Sequence, residues 1–548
     1  MREQTGGSAE GRHLFFSGVM LLGMANILVK VIGLLFKIPM SYYLGDEGMG
    51  YFNSAYQIYT WLYMLSTAGL PVAVSILISQ SRARMDYARV QRIFSVTMRT
   101  FFLVGVVGTG LMYFGAGSFA NMIGAPDARF CIMAISPTLF FICLSSALRG
   151  YFQGFQQMGP PAMSQVLEAL GKLLIGVAFA SWAQGRGYDL PHMAAFSVMG
   201  LAVGEAAGTV YLLYARYRYR KKGRLPTCTD TFDARKSGRE EGLIRSLLSI
   251  AFPVTVSASV MSLTSLIDLV LIQRRLQSLG YTGAEATAFF GNYTTLVVPM
   301  FNLPPALIYP IATALTPLLS NLHAAGNRQG SERIVQAVLR ITMLIALPCA
   351  LGLSVFSLPI LSLFFRADMA ESAAPLLSVL SVAVVFISLL AVTNAILQAY
   401  GEAGKPTLSM LAGAGVKLVT NYVLVGVPGI GTAGVPLSTV LCYLTAILLN
   451  LFFVIRCTGI LPSLGRVLLR PLLSAILSVG AGEGVYVLLG GENAGRLSVI
   501  PVILATALFY LAAVFLLRCI TREDLILIPY GDRLCAAWEK RKLSFRQR

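Results

Sequence analysis

Seven ionisable side chains lie inside long apolar stretches of this chain: Lys30, Lys37, Lys172, Lys417, Glu168, Glu205 and Asp268. A lysine or carboxylate near mid-bilayer costs about 2.5–3.5 kcal/mol on insertion scales, so each is a candidate functional group. Lys30 and Lys37 are seven residues apart, close to two helical turns, and therefore share nearly one helix face. Lys37 is nearer the end of its stretch, where a headgroup anchor is the competing role. Glu168 precedes Lys172 by four residues, the favoured order for an intrahelical ion pair. Lysine serves phosphate as a point charge, and four lysines against three carboxylates suit an anionic ligand. The expected cavity cations are thus Lys30, Lys37, Lys172 and Lys417. Glu168, Glu205 and Asp268 are the groups for ion coupling or charge pairing. Asp268 either pairs with a lysine of the first half or carries a proton or Na⁺. Arg149 closes its apolar stretch and is expected at lipid headgroups or a carbonyl. Tyr42, Tyr43, Tyr51, Tyr56, Tyr59, Trp61 and Tyr63 crowd one region. They read as an aromatic belt with packing residues, with stacking on sugars as the alternative.

The elements that hold these residues must be membrane helices. The chain has 548 residues, of which 56% are hydrophobic and 12% charged. Its mean hydropathy is +0.71. Soluble proteins average about 25% charged residues. The fold class is an all-α polytopic membrane protein, and this composition excludes a soluble enzyme, a nucleic-acid-binding domain and a disordered chain. Hydropathy predicts about fourteen spans: 14–38, 52–80, 93–116, 128–152, 161–184, 191–215, 246–273, 286–319, 334–358, 374–400, 406–427, 432–455, 467–489 and 498–518. No cleavable signal peptide precedes them. The net charge of +18 follows from cytoplasmic loops rich in Lys and Arg. With both termini in the cytoplasm, most of the 43 basic residues fall on that side, against Arg129, Arg186, Arg274, Arg275, Arg366 and Arg496 on the other. The run from Arg216 to Arg224 reads as a topology anchor, with anionic-lipid binding as the alternative. The eight cysteines form no CxxC and are expected as free thiols. The three histidines are too far apart in sequence for a metal constellation.

The chain repeats itself. RGYFQGFQQMGPPAMSQVLEALGKLL (Arg149–Leu174) matches LQAYGEAGKPTLSMLAGAGVKLV (Leu397–Val419) at a constant offset of 245. That offset pairs Gln153 with Gln398, Gly159 with Gly404, Pro161 with Pro406, Ser164 with Ser409 and Lys172 with Lys417, while Glu168 falls on Gly413. Leu70–Leu77 likewise matches Tyr309–Thr316. Each pair is six spans apart. Six is even, so the copies share one orientation: two six-helix lobes in a parallel pseudo-two-fold repeat, plus two C-terminal helices. The expected division is an N-terminal lobe at 1–215, a basic cytoplasmic linker at 216–245, a C-terminal lobe at 246–456, the extra helices at 457–518 and a basic tail at 519–548. Two lobes imply a cavity between them. Arg149, Gly159, Pro161, Gly404 and Pro406 mark the matching turns, read as cytoplasmic gate turns in which glycine supplies positive φ and proline starts the next helix.

The two lobes, the GLP-x-A-[VL]-S pattern at Gly69–Ser75 and the RGYFQG-x-x-x-M-x-P turn at Arg149–Pro160 resemble the multidrug/oligosaccharidyl-lipid/polysaccharide (MOP) exporter superfamily. Within it, the chain is similar to the stage V sporulation protein B branch of polysaccharide biosynthesis proteins, related to the MurJ-type lipid II flippases. The resemblance implies an alternating-access flippase in the bacterial plasma membrane. It would carry an undecaprenyl-pyrophosphate-linked glycan, foremost lipid II, from the inner to the outer leaflet. The MurJ type carries arginines on its first, second and eighth helices. Here span one offers Lys30 and Lys37, and the cores of spans two and eight offer no basic residue.

Three other readings stand beside this one. An exporter of another lipid-linked repeat unit would use the same chemistry. A cation-coupled multidrug exporter would need acidic groups in the first lobe's cavity, and span one has none. A membrane glycosyltransferase would need paired carboxylates or a metal site at a membrane face, and Asp46, Glu47, Asp127 and Asp189 are scattered over the outer loops and make no such pair. The expected partners are a lipid-linked oligosaccharide, membrane lipids and a coupling ion or the membrane potential. No cofactor, metal or nucleic acid is implied.

Overall fold

The computed structural model describes residues 6–67, 69–222, 240–461, 463, 465–491, 496–517 and 519. The linker stretch 223–239 with Cys228, and the tail beyond 519 with Cys535, lie outside the described residues. The chain forms two compact units, Met1–Gly291 and Asn292–Arg548. The first holds α1 (Gly6–Thr67), α2 (Leu70–Ala83), α3 (Tyr87–Phe114), α4 (Ala116–Ile123), α5 (Ala128–Gly154), α6 (Gly159–Gly185), α7 (Leu190–Lys221), α8 (Glu240–Ser278) and α9 (Gly283–Asn292), which runs to the boundary. The second holds α10 (Val298–Ala324), α11 (Arg328–Val355), α12 (Ser357–Phe364), α13 (Ala367–Leu380), α14 (Ala383–Ala399), α15 (Gly404–Val425), α16 (Gly434–Thr458), α17 (Arg470–Leu488) and α18 (Val499–Leu516). No strand occurs among the described residues.

Eleven of the described stretches are long and apolar enough to cross a membrane, or twelve if α13 and α14, bent by 48°, form one span. The expected fourteen is not confirmed. Leu28–Leu65 counts once although α1 is broken at Gly45 (φ 63°, ψ −166°), and α8 is not among the eleven. Prolines set several helix starts: Pro71, Pro160 and Pro191 stand in first turns, where the missing N–H costs nothing. Two other prolines follow a π-helical turn inside a continuous helical stretch, Tyr293–Val297 before Pro299 and Gly465–Leu469 before Pro471. The widened turn gives the proline ring room against the preceding carbonyls.

The internal repeat is written into the turns. After α5, Gln156 takes φ 60°; after α14, Gly401 takes φ 79° at the same offset of 245. Their hydrogen bonds match one for one. Gln156 N–H donates to Gln153 O (2.9 Å) and Gln157 N–H to Phe152 O (2.9 Å); Gly401 N–H donates to Gln398 O (3.1 Å) and Glu402 N–H to Leu397 O (2.9 Å). A second matching pair follows α2 and α10. Met85 (φ 57°) and Gly326 (φ 67°) each precede a side-chain cap, Asp86 on Arg89 N–H and Asn327 on Gly330 N–H, both 2.9 Å. Short helices α4 and α12 then recur in the same place in the order. Each unit thus repeats one helix–turn series, as the parallel-repeat reading expects.

In the first unit α5 packs against α1, α2, α3 and α7, and α8 packs against α1, α2 and α4. In the second, α14 packs against α10, α11 and α16, and α17 pairs with α18. The closest helix approach near the charged residues is α6 on α7. A Cβ at Gly171 would lie 2.3 Å from Gly204 Cα, so both positions must lack a side chain. That contact brings Glu168 of α6 and Glu205 of α7 toward the same point.

Candidate functional site

The point they meet is Arg149, in the last two turns of α5. Its Nη2 lies 3.1 Å from Glu168 Oε2 and 3.6 Å from Glu205 Oε1. Its Nε donates to Ser164 Oγ at 3.0 Å. Ser145 Oγ donates to Glu205 Oε1. The Arg149 side chain is 11% exposed, Glu168 25% and Glu205 0%. The expectation that Arg149 meets headgroups or a carbonyl is therefore corrected: it is the hub of a buried ion cluster. Its position near a helix end suggested the membrane surface, but α6 and α7 cover it. The Glu168–Lys172 pair expected from i,i+4 spacing is corrected too. Glu168 turns to Arg149, and the single contact between Nη2 and Oε2 is a charge-assisted hydrogen bond.

Lys172 instead points at aromatic faces. Its Nζ lies 4.6 Å from the ring centroid of Tyr56, 4.8 Å from Phe36 and 5.6 Å from Phe52. Each is within the range of cation–π attraction. Phe36 and Phe52 come from the two legs of α1 on either side of Gly45, so the break in α1 builds this cage. Lys37, half-buried beside it, is close enough for the two ammonium charges to repel. Two lysines thus share one place in the first unit.

From the cage a row of rings continues along α1. Phe52 stacks on Tyr56 (6.4 Å), Tyr56 meets Tyr59 (5.9 Å) and Tyr59 stacks on Tyr63 (6.1 Å). The row leads to the ion cluster: Tyr59 feels the charges of Glu205 and Glu168, and Tyr63 that of Arg149. Tyr56, Tyr59 and Tyr63 line the charged site and not a membrane edge; with Phe52 they fall at 52, 56, 59 and 63, a one-face helical pattern. Tyr51 lies apart, with its hydroxyl on Glu47 at 2.7 Å, and Tyr42 is exposed.

The remaining expected residues fall elsewhere. Lys30 is exposed on α1, two turns before Lys37. Lys417 is half-buried on α15 in the second unit, where its charge reaches Tyr443, itself against Phe301 at 6.0 Å. Asp268 is half-buried on α8 and is not one of the carboxylates on Arg149. Gly159 and Gly404 open α6 and α15 with free space around them, and Pro161 and Pro406 are buried beside them; the positive φ expected of the two glycines is corrected, since it falls on Gln156 and Gly401 three residues earlier. Arg82 joins the first of these turns, donating from Nη1 to Phe155 O at 3.1 Å. In the basic run, Arg216 lies over Phe94 at 3.7 Å and Arg220 donates to Gln91 at 3.1 Å. The described cysteines Cys131, Cys143, Cys349, Cys442, Cys457 and Cys519 are free thiols.

The polysaccharide biosynthesis protein family matches residues 15–323, and the MatE family matches residues 253–423. Stage V sporulation protein B of Bacillus subtilis (strain 168) is 25% identical over 529 residues, covering 95% of this chain and 99% of that protein. Lipid II flippase MurJ of the same organism is 24% identical over 477 residues, covering 84% of this chain and 87% of that protein. Among solved structures, lipid II flippase MurJ in an inward closed conformation superposes with a TM-score of 0.67 at 16% identity, over 91% of this chain and 99% of that one. An inward-facing multidrug resistance MATE family transporter of the MOP superfamily gives a TM-score of 0.64 at 17% identity, over 79% and 94%.

Proposed function

The chain belongs to the polysaccharide biosynthesis protein family, and from that membership we propose that it flips an undecaprenyl-pyrophosphate-linked glycan, the peptidoglycan precursor lipid II, from the inner to the outer leaflet. The observation that carries this reading is the pair Lys37 and Lys172, set together at an aromatic cage within a membrane-embedded helical unit. Lysine ammonium groups in a low-dielectric place suit phosphate oxygens. The tyrosine row beside them offers ring faces and hydroxyls to sugars. Lys30 and Lys417 are proposed as further substrate-binding cations, one in each unit.

The topology of this reading has both termini in the cytoplasm, lobes at 1–215 and 246–456, and Gly159, Pro161, Gly404 and Pro406 at the cytoplasmic turns. Outward movement of two pyrophosphate charges through an inside-negative membrane gains about 4.6 kcal/mol per 100 mV, so the potential itself can drive export. The product serves cell-wall or spore-cortex synthesis.

The test is binding by purified protein in nanodiscs to lipid II, to undecaprenyl phosphate and to a different undecaprenyl-pyrophosphate-linked glycan. Selective lipid II binding supports the reading. Equal binding of both pyrophosphate-linked glycans would make the protein a general lipid-linked repeat-unit exporter. Failure to bind either, with cationic dyes bound instead, would overturn the anionic-substrate reading.

A further inference from the structure

The offset that relates the two units also relates their polar pairs. It puts Asn394 in the place of Arg149 and Asn450 in the place of Glu205. Asn450 Nδ2 donates to Asn394 Oδ1 at 2.6 Å, so the corresponding helices α14 and α16 are joined by an amide pair. The first unit joins α5 and α7 through a buried ion pair at 3.6 Å. An amide pair carries no charge and titrates nothing, and it suffices to link the helices. The first unit uses the arrangement with the larger desolvation cost.

It also adds a second carboxylate. Glu168 and Glu205 share one guanidinium, and Glu205 is fully buried. Glu205 Oε1 is held by Ser145, while Oε2 has no hydrogen-bond partner. Glu168 meets the same Nη2 of Arg149, at 3.1 Å against 3.6 Å for Glu205, so two carboxylates crowd one guanidinium. A proton on Oε2 would leave that guanidinium with a single carboxylate charge. The charged and titratable groups facing Glu205 are Arg149 and Cys143 from α5, Glu168 from α6 and Tyr59 from α1, with Lys172 beyond Glu168 and Tyr63 beyond Arg149.

We propose that Glu205, with Glu168 and Arg149, is a proton-binding site whose occupancy is linked to anion binding at Lys37 and Lys172. The proton site stands on the cluster alone; the linkage rests on the anion-binding reading of the two lysines. With both carboxylates ionised, three cations (Lys37, Lys172, Arg149) face two anions. With Glu205 protonated they face one, and an incoming anion is held more tightly. By reciprocity, a bound anion favours the proton. The substrate and the proton bind together, where a proton–drug antiporter would make them compete.

The experiment has two independent readouts on the full chain in nanodiscs. Infrared difference spectroscopy across pH follows the carboxylic-acid C=O band. Calorimetry with lipid II in two buffers of different ionisation enthalpy follows proton uptake on binding. The expected result is a titrating band that disappears in Glu205→Gln, proton uptake on binding, and affinity that rises as pH falls, by at most about tenfold per pH unit for one linked proton. The double variant Arg149→Asn/Glu205→Asn copies the second unit's own pair, so it should fold; it is expected to lose both the band and the pH dependence. A carboxyl band that does not titrate, or one unchanged in Glu205→Gln, overturns the proton site. A titrating band with pH-independent lipid II binding overturns the linkage alone. No lipid II binding at any pH, with the band intact, sinks the anion reading and the linkage while leaving the proton site supported.

Discussion

Lys172 Nζ stands 4.6 Å from the centre of the Tyr56 ring, while Glu168, one helical turn away on α6, turns to Arg149. This separation decides what the lysine can do. A cation–π contact is worth about 0.5–2 kcal/mol, whereas a charge-assisted hydrogen bond contributes about 1.5–3 kcal/mol. The rings keep the ammonium placed and partly dry, and an anionic oxygen can take it over. A lysine already paired with a carboxylate would have to break that pair first.

Lys37 and Lys30 should differ. Lys37 shares the site with Lys172, whereas Lys30 is exposed two turns away. Lys37→Ala is expected to weaken lipid II binding by about tenfold or more, the loss of one charged contact. Lys30→Ala is expected to have the smaller effect. Titration of both variants in nanodiscs checks the order.

Removing Arg149 alone should be far worse than removing the pair. Arg149→Ala leaves Glu205 buried without its cation and is expected to cost about 3–5 kcal/mol. Adding Glu205→Asn to Arg149→Asn should recover most of that loss, because Asn394 and Asn450 hold the same helix contact at 2.6 Å. Thermal unfolding of the single and double variants in one detergent gives the comparison. A double variant no more stable than Arg149→Asn would show that the two units do not tolerate the same pair.

The matching turns make a stability test in opposite directions. Gln156 is held at φ 60°, where Gly401 in the second unit has φ 79°. A side chain in this region costs about 1–2 kcal/mol relative to glycine. Gln156→Gly should raise the unfolding temperature and Gly401→Ala should lower it. Equal and negligible shifts would mean that these turns carry no strain.

The approach of α6 to α7 is expected to be intolerant of bulk. A Cβ at Gly204 would lie 2.6 Å from Glu168 O and 3.1 Å from Gly171 Cα. Gly204→Val should destabilise the protein by at least about 1–3 kcal/mol and weaken lipid II binding by displacing Glu168 and Glu205 from Arg149. Retained stability and affinity would show that α6 and α7 can part without disturbing the cluster.

The membrane class, the repeat and the lysines of the site are readable from hydropathy and spacing. The offset of 245 alone pairs Lys172 with Lys417, and the same offset pairs Gln156 with Gly401 in the turns. What spacing could not show was the partner choice. The i,i+4 rule favoured Glu168 with Lys172, but tertiary contact at Gly171 and Gly204 put a guanidinium within 3.1 Å of Glu168. The role of Glu205 needed the fold as well, since Ser145 and Arg149 reach it from α5. A signal was present all the same: both members of the Arg149–Glu205 pair become asparagine at the repeat offset, a paired change that marks a contact. The tyrosine row is visible in the sequence as a one-face pattern, but a membrane edge also collects tyrosine, so the pattern alone does not separate a belt from a site wall.

The measurement that bears most directly on the central claim is lipid II binding by wild type and Lys172→Gln at the same pH and salt. Gln keeps a polar, hydrogen-bonding end on a side chain one atom shorter and removes the charge. The expected result is selective lipid II binding by wild type, weakened about tenfold or more in Lys172→Gln, with the thermal stability of the unliganded proteins nearly equal. Undiminished lipid II affinity in a folded Lys172→Gln protein would contradict the account.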